Sequence, residues 1–383
     1  MTSIGGAGTS GMVDWNLAVA TATRLVRPGP EVSREEARDV VAELRRHAKA
    51  AEEHVRAYTR MIPEDRLPAD IADTPVLVVD RVGWIKANVA GFRELLTPLL
   101  DKMKERRTGT TGGAMLNVVG GKVTGVELGM LLSFLASRIL GQYETFAPAT
   151  RELPAGRDGG GRLLLVAPNI VHVERELEVD PHDFRLWVCL HEETHRTQFT
   201  AVPWLRDHLQ GEIQSFLAAT DVDPSTVVER LREAAQALAG GNRPEGEQGE
   251  PAPSIVELVQ TPEQREILGR LTAVMSLLEG HADHVMDGVG PDVVPSVAEI
   301  REKFQQRRAR GASRLDLALR KLLGLDAKLR QYRDGERFVT AVVDQVGMDG
   351  FNRVWTSPNT LPTKAEIASP ADWVARVHRK ADS

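Results

Sequence analysis

A chain of 383 residues with 42% hydrophobic and 27% charged side chains has the make-up of an ordinary soluble protein, long enough for a large core or for one catalytic domain with an added helical layer. Its formal net charge of −6 gives no electrostatic footprint for nucleic acid, and the short basic run Arg307, Arg308 and Arg310 reads as a solvated helix face. The single cysteine, Cys189, excludes an internal disulfide framework and fits a reducing compartment.

The chain opens with a Gly/Ser/Thr-rich stretch, Met1 to Gly11, that has neither a basic region nor a sustained apolar segment. We read residues 1–12 as disordered and the location as cytoplasmic. Ser33 followed by Glu36 forms a capping box ahead of a long, charged, amphipathic helix to Met61, with His47 and His54 expected on its surface. Pro75 to Asp80 is short and β-branched, as a strand would be. Helical spacing resumes from Asn88 to Met103, and Glu105 to Gly113 has loop chemistry. The most apolar window, Val126 to Leu140, is bracketed by Glu127 and Arg138 and is too short to cross a bilayer, so a buried core helix is expected and no membrane partner. Arg162 to Val171 reads as a second strand, and Pro168 within it argues for an edge position.

Next comes His191-Glu192-Glu193-Thr194-His195, in a segment that starts as a helix should, with Asp180 as N-cap and Pro181 in the first position. Two histidines four apart project from one helix face, close enough for their ring nitrogens to share one tetrahedral zinc ion. Glu192 is not needed as a ligand, which frees it to act as general base on an activated water. Phe184, Trp187, Val188, His191, His195 and Phe199 recur at three- and four-residue spacing, so the histidines should point along the apolar stripe. Cys189 falls on another face and reads as a packed thiol.

A catalytic zinc site needs a third protein ligand. An extension of the motif with Gly at 198 and His at 201 is absent, since the chain has Gln198 and Ala201. Ile267 to Leu278 is strongly apolar at helical spacing, so Glu279 emerges from a helix that should be buried, and Asp283 lies one turn further along the same face. Glu279 is the candidate third ligand, and Asp283 the candidate acceptor for the free ring N–H of a zinc-bound histidine. His281, His284 and His208 remain rival donors. Pro203 to Ala219 and Ser225 to Ala239 look helical, and residues 240–254 have the composition of a flexible loop. After Asp287 the chain returns to helices, and Val354 to Val377, with Trp355 and Trp373, reads as a docked C-terminal cap.

The segments HEETHRTQF, EGHADHVMD, VDWNLAVATATRLV, KLLGLDAKLRQYRDGERFV and VWTSPNTLPTKAEI together resemble the zincin-like metallopeptidase family common in actinobacteria, sometimes labelled as associated with deazaflavin-coenzyme biosynthesis. The resemblance extends over nearly the whole chain from about Val13. It implies a predominantly helical, zincin-like α+β fold with a small sheet beside the active-site helix. Residues 13–383 would form a single domain with helical layers over 13–70 and 291–383. It also implies a gluzincin-type zinc site in which His191, His195 and Glu279 are ligands, Glu192 is the general base and Asp283 orients a histidine. Peptidase activity on a peptide or protein substrate would follow. An extended substrate would lie along the strand before the helix, where Ala167 and Asn169 could meet its main chain. A second reading is an inactive protein that uses the fold for partner binding, with a structural metal. The oligomeric state is left open.

Overall fold

The computed structural model describes residues 13–61, 74–107, 113–148, 154, 161–219, 261–310 and 325–379. The expected helix at Ser225 to Ala239, the loop at 240–254 and the N-terminal residues 1–12 lie outside these. Two helices open the chain, α1 (Trp15–Leu25) and α2 (Arg34–Thr59), followed by β1 (Val76–Val79), α3 (Arg81–Arg107) and α4 (Gly113–Ala136). Two further strands, β2 (Gly141–Glu144) and β3 (Arg162–Val166), lead into α5 (Ala167–Leu177), α6 (Pro181–Ala201) and α7 (Pro203–Ala218). The C-terminal part holds α8 (Pro262–Gly288), α9 (Val297–Arg310) and α10 (Leu325–Phe351), two short 3-10 turns, α11 (Lys364–Ala368) and α12 (Pro370–Arg379). The fold is α+β and predominantly helical, and none of its described helices is long and apolar enough to cross a membrane.

The sheet has the order β1-β3-β2, with β1 parallel and β2 antiparallel to β3. This corrects the expectation for Arg162 to Val171. β3 is the central strand, buried along all five residues, and the chain turns helical at Ala167. Pro168 sits in the first turn of α5, where its missing N–H has no helical partner to lose. Asn169 is also misplaced for substrate binding: it is 1% exposed, accepts from Arg81 Nε at 2.6 Å, and donates to the carbonyls of Ala136 and Ile139. It latches α3 and the end of α4 beneath the sheet, while Ala167 packs against the core.

Ser33 caps α2 through Glu36 N as its sequence suggests. His47, expected on the surface, is 6% exposed, because α2 lays that face against α6. The apolar window Val126 to Leu140 is only half a core helix. Leu132 and Ala136 are buried, whereas Val126 and Met130 are 36% and 48% exposed. The expected loop at Glu105 to Gly113 begins later, since Glu105 to Arg107 still belong to α3.

Three apolar clusters organise the molecule. One joins α1, α3 and α4 to the sheet. A second packs α2, β3, α5, α9 and the first half of α6 around Phe184, Trp187 and Leu190. The third gathers α7, α8, α10 and the C-terminal segment around Phe338, Phe351, Trp355 and Trp373, so the expected cap is docked. The helix pair α8 and α10 comes into backbone contact at Gly280 and Gly335. A Cβ on Gly280 would stand 2.1 Å from the Gly335 carbonyl carbon, and one on Gly335 2.0 Å from the Ser276 carbonyl oxygen. Only glycines permit that approach, and it fixes the height of Glu279 on α8.

Near the end of α8, Asp287 pairs with Arg301 at 2.5 Å but keeps one oxygen buried without a hydrogen bond. Burial pushes its pKa up to about 6, against the pull of Arg301 and with the help of Glu336. A folded-state pKa above the unfolded one means that stability is lost as pH rises from about 4 to about 6. Asp287→Asn should therefore be more stable than the parent at pH 8 by about 2 kcal/mol and indistinguishable from it at pH 3.5, as read by urea unfolding at the two pH values.

Candidate metal centre

Helix α6 is built to carry polar groups inside the protein. Asp180 accepts from the Asp183 N–H at 3.0 Å, and the Asp183 carboxylate accepts from both the N–H and hydroxyl of Ser296, pinning the first turn to the C-terminal part. Beyond it, Phe184, Trp187, Val188 and Leu190 are buried, and so are Glu192, Glu193, Thr194, Arg196, Thr197 and Gln198. The two histidines are the more open residues in this stretch, with side chains 20% and 13% exposed. The expected inward stripe is thus correct for Phe184 to Val188, and at the histidines it opens into a partly exposed cleft facing α8. Cys189 is buried, with its thiol 3.8 Å from the Leu44 carbonyl.

Across the cleft stands Glu279, delivered by a helix that starts with a capping box between Thr261 and Gln264. The Nε2 atoms of His191 and His195 are 3.3 Å apart. Glu279 Oε2 lies 3.7 Å from His191 Nε2, and its Oε1 4.0 Å from His195 Nε2. One donor atom from each residue falls within 4.8 Å of the other two. Two nitrogens each about 2.0–2.1 Å from a tetrahedral ion would stand about 3.3 Å apart, which is the spacing of the imidazoles. The donor set of two neutral imidazoles and a carboxylate suits zinc.

The histidine tautomers follow from their outer partners. The Gln198 amide donates to the Leu278 carbonyl at 2.9 Å, which fixes its orientation, since a carbonyl can only accept. Its oxygen, 3.0 Å from His195 Nδ1, must then accept from that nitrogen, leaving the lone pair of Nε2 free for a metal. The same amide nitrogen is 3.0 Å from His281 Nδ1. Gln198 entered the sequence reading only as the absence of a glycine, although a position three beyond a helical histidine is a neighbour on the same face. Gln198→Leu should weaken zinc affinity about 10–100-fold, as measured by competition with a chromophoric chelator.

Asp283 stands on the predicted face, its Oδ1 3.6 Å from His191 Nδ1, beyond hydrogen-bond length, while the Met286 sulfur is closer at 3.3 Å. The rival histidines are engaged elsewhere. His281 is fully buried between Phe351 and Trp355, and burial, then His284 and His195, push its pKa to about 3, so it is neutral. His284 bridges the Tyr58 and Thr340 hydroxyls, and His208 lies edge-on to Trp204.

Glu192 is 6% exposed and sits on the first residue of β2. A Cβ on Gly141 would be 2.5 Å from Glu192 Cδ and Cγ and 2.8 Å from its Oε1. Burial, then the charges of Glu279 and Glu193, push the Glu192 pKa well above the carboxylate range. The neighbouring charges turn away from the cleft: Arg196 donates to Glu193 at 2.6 Å and pairs with Glu52 at 2.8 Å. Burial raises Glu193 to about 7 against the pull of Arg196.

A mostly helical α+β scaffold with a paired-histidine helix, a facing glutamate and a small sheet behind it defines a zincin-like, metal-binding class of hydrolase. The chain belongs to the zincin-like metallopeptidase family, whose pattern it matches over residues 13–374. It is also similar to a crystal structure from Chloroflexus aurantiacus, provisionally described as a hydrolase with a novel fold. That similarity is 31% in sequence with a TM-score of 0.65, covering 96% of this chain and 99% of the other. No curated protein matches.

Proposed function

We propose that the protein is a zinc-dependent peptidase in which His191, His195 and Glu279 hold the ion and Glu192 is the general base. The observation that carries this reading is the convergence of two Nε2 atoms 3.3 Å apart on one carboxylate, with a second, buried carboxylate beside them. When bound, the ion would acidify a water and polarise a carbonyl. Glu192 would take the proton of the attacking water and return it to the leaving amine. Gln198 would orient the His195 imidazole, and Asp283, 3.6 Å from His191 Nδ1, would orient that ring only by moving closer. Among the described residues the cluster comprises three donors rather than four, which favours a catalytic site over the alternative of a closed structural metal.

Peptide is the favoured substrate class because a strand edge borders the cleft. Among the described residues β2 pairs with β3 alone, so its outer side could take an extended main chain, a role the sequence suggests for Ala167 and Asn169 instead. The test is metal removal. Dialysis against a zinc chelator should abolish cleavage of quenched-fluorescence peptides, and zinc should restore it. On dialysis against chelator-free buffer, Glu279→Gln should lose the zinc that the parent retains. Cleavage that persists after chelation, or undiminished tight zinc in the Glu279 variant, would reject the assignment.

A further inference from the structure

Away from the cleft, α2 and the first turn of α6 bring together a second set of donors, Glu43, His47 and His182. One donor atom from each lies within 4.8 Å of the others. Glu43 and His47 are four apart on α2 and share a face, as the paired ligands of α6 do, and His182 comes from the other helix. Glu43 Oε1 faces both rings, 2.9 Å from His182 Nδ1 and 3.5 Å from His47 Nε2. The two imidazoles stand 4.5 Å apart between centroids, at 72°.

A plain hydrogen bond between His182 and Glu43 accounts for the exposed histidine but leaves His47 unexplained. The His47 side chain is 8% exposed, and its buried Nε2 has no partner at good hydrogen-bond geometry, only the Glu43 oxygen at 3.5 Å, which His182 already holds more closely. A buried nitrogen this weakly engaged is costly. The other Glu43 oxygen is taken by Arg185, whose charge is in turn covered by both oxygens of Glu174. The carboxylate is thereby held ionised and aimed, and the Arg185 cation is neutralised on its far side.

We propose that Glu43, His47 and His182 form a second divalent-metal site, of the zinc class, that clamps the first turn of the α6 helix to α2. Two imidazoles and one carboxylate suit zinc or a similar first-row ion, and the exposure of His182, 65% at its side chain, leaves a side open for water and for entry of the ion. The clamp would act on the first turn of α6, before the mid-helix histidines of the cleft, so its ligands need take no part in peptide hydrolysis.

The experiment is a zinc titration of the untagged full-length chain by calorimetry. The parent should saturate at two equivalents, His182→Ala at one, and Glu279→Gln should keep the equivalent that His182→Ala loses. His182 is exposed enough for its removal to leave folding intact, which circular dichroism will verify. In Glu279→Gln, zinc should also slow amide hydrogen exchange across the first turn of α6, and adding His182→Ala should cancel that protection. Saturation of the parent at one equivalent, two equivalents retained by His182→Ala, or exchange at that turn indifferent to zinc would each overturn the proposal.

Discussion

Glu192→Gln should lower peptide hydrolysis by about a thousandfold or more while leaving the tight zinc equivalent in place. General acid–base catalysis contributes roughly 10²–10⁴-fold, and in this site the same carboxylate would serve both the attack and the departure of the amine. Zinc should remain because Glu192 is not among the three donors that converge. The variant also has a readout that a misfolded protein would fail. Glu192 is buried and its pKa is raised by burial, by Glu279 and by Glu193, so in metal-free protein above the carboxylate range its ionised form opposes folding. The amide carries no such cost, and metal-free Glu192→Gln should melt at or above the parent temperature at pH 8. A bound cation would reverse the sign of the local field, so the stability gain should shrink when zinc is added. Unimpaired turnover in this variant would remove Glu192 from the mechanism, and a lower melting temperature would point to a structural role.

The parts of this site legible in the sequence are those determined by chain-local rules. Asp180 and Pro181 start α6 as capping chemistry dictates, the four-residue spacing puts His191 and His195 on one face, and the apolar run before Glu279 packs its helix against the core with Glu279 at the partly exposed cleft. The illegible parts depend on what lies opposite. Pro168 is compatible with an edge strand and with a first helical turn, and only the burial of β3 between two partners decides between them. Glu193 and Arg196 look like charges crowding a metal motif, yet helix geometry turns them to the other side, where they meet Glu52 from α2. His47 reads as surface because α2 is so charged, and it is covered only once α6 packs over it. Gln198 was within reach of sequence reasoning, since its position three residues beyond His195 makes it a neighbour on the same face. Its other partner, the carbonyl of Leu278 on a helix 80 positions away, was not.

Gly141→Ala should cost about a hundredfold in kcat with zinc binding unchanged. The backbone at Gly141 is not in the left-handed region, so alanine meets no conformational penalty, and any effect must come from the added methyl. That methyl would stand 2.5 Å from two carbons of Glu192, closer than atoms can approach, and one of the two partners has to move. β2 is tied to the central strand, with Gly141 in register with Leu165 and the Val166 N–H bonded to the Leu140 carbonyl at 2.8 Å. The Glu192 side chain is the softer partner, and its carboxylate would be displaced by about 1 Å or more, a misplacement that costs about 10²-fold where a catalytic group must meet its proton in register. The three heavy atoms nearest this methyl position all belong to Glu192, so metal affinity should hold, and the loss should fall on kcat rather than KM. The absence of a side chain at the start of the edge strand is therefore part of the catalytic arrangement: it leaves room for the base between the sheet and the metal ligands. Full activity in Gly141→Ala, with zinc retained, would mean that Glu192 works from some other position than the one it occupies against β2.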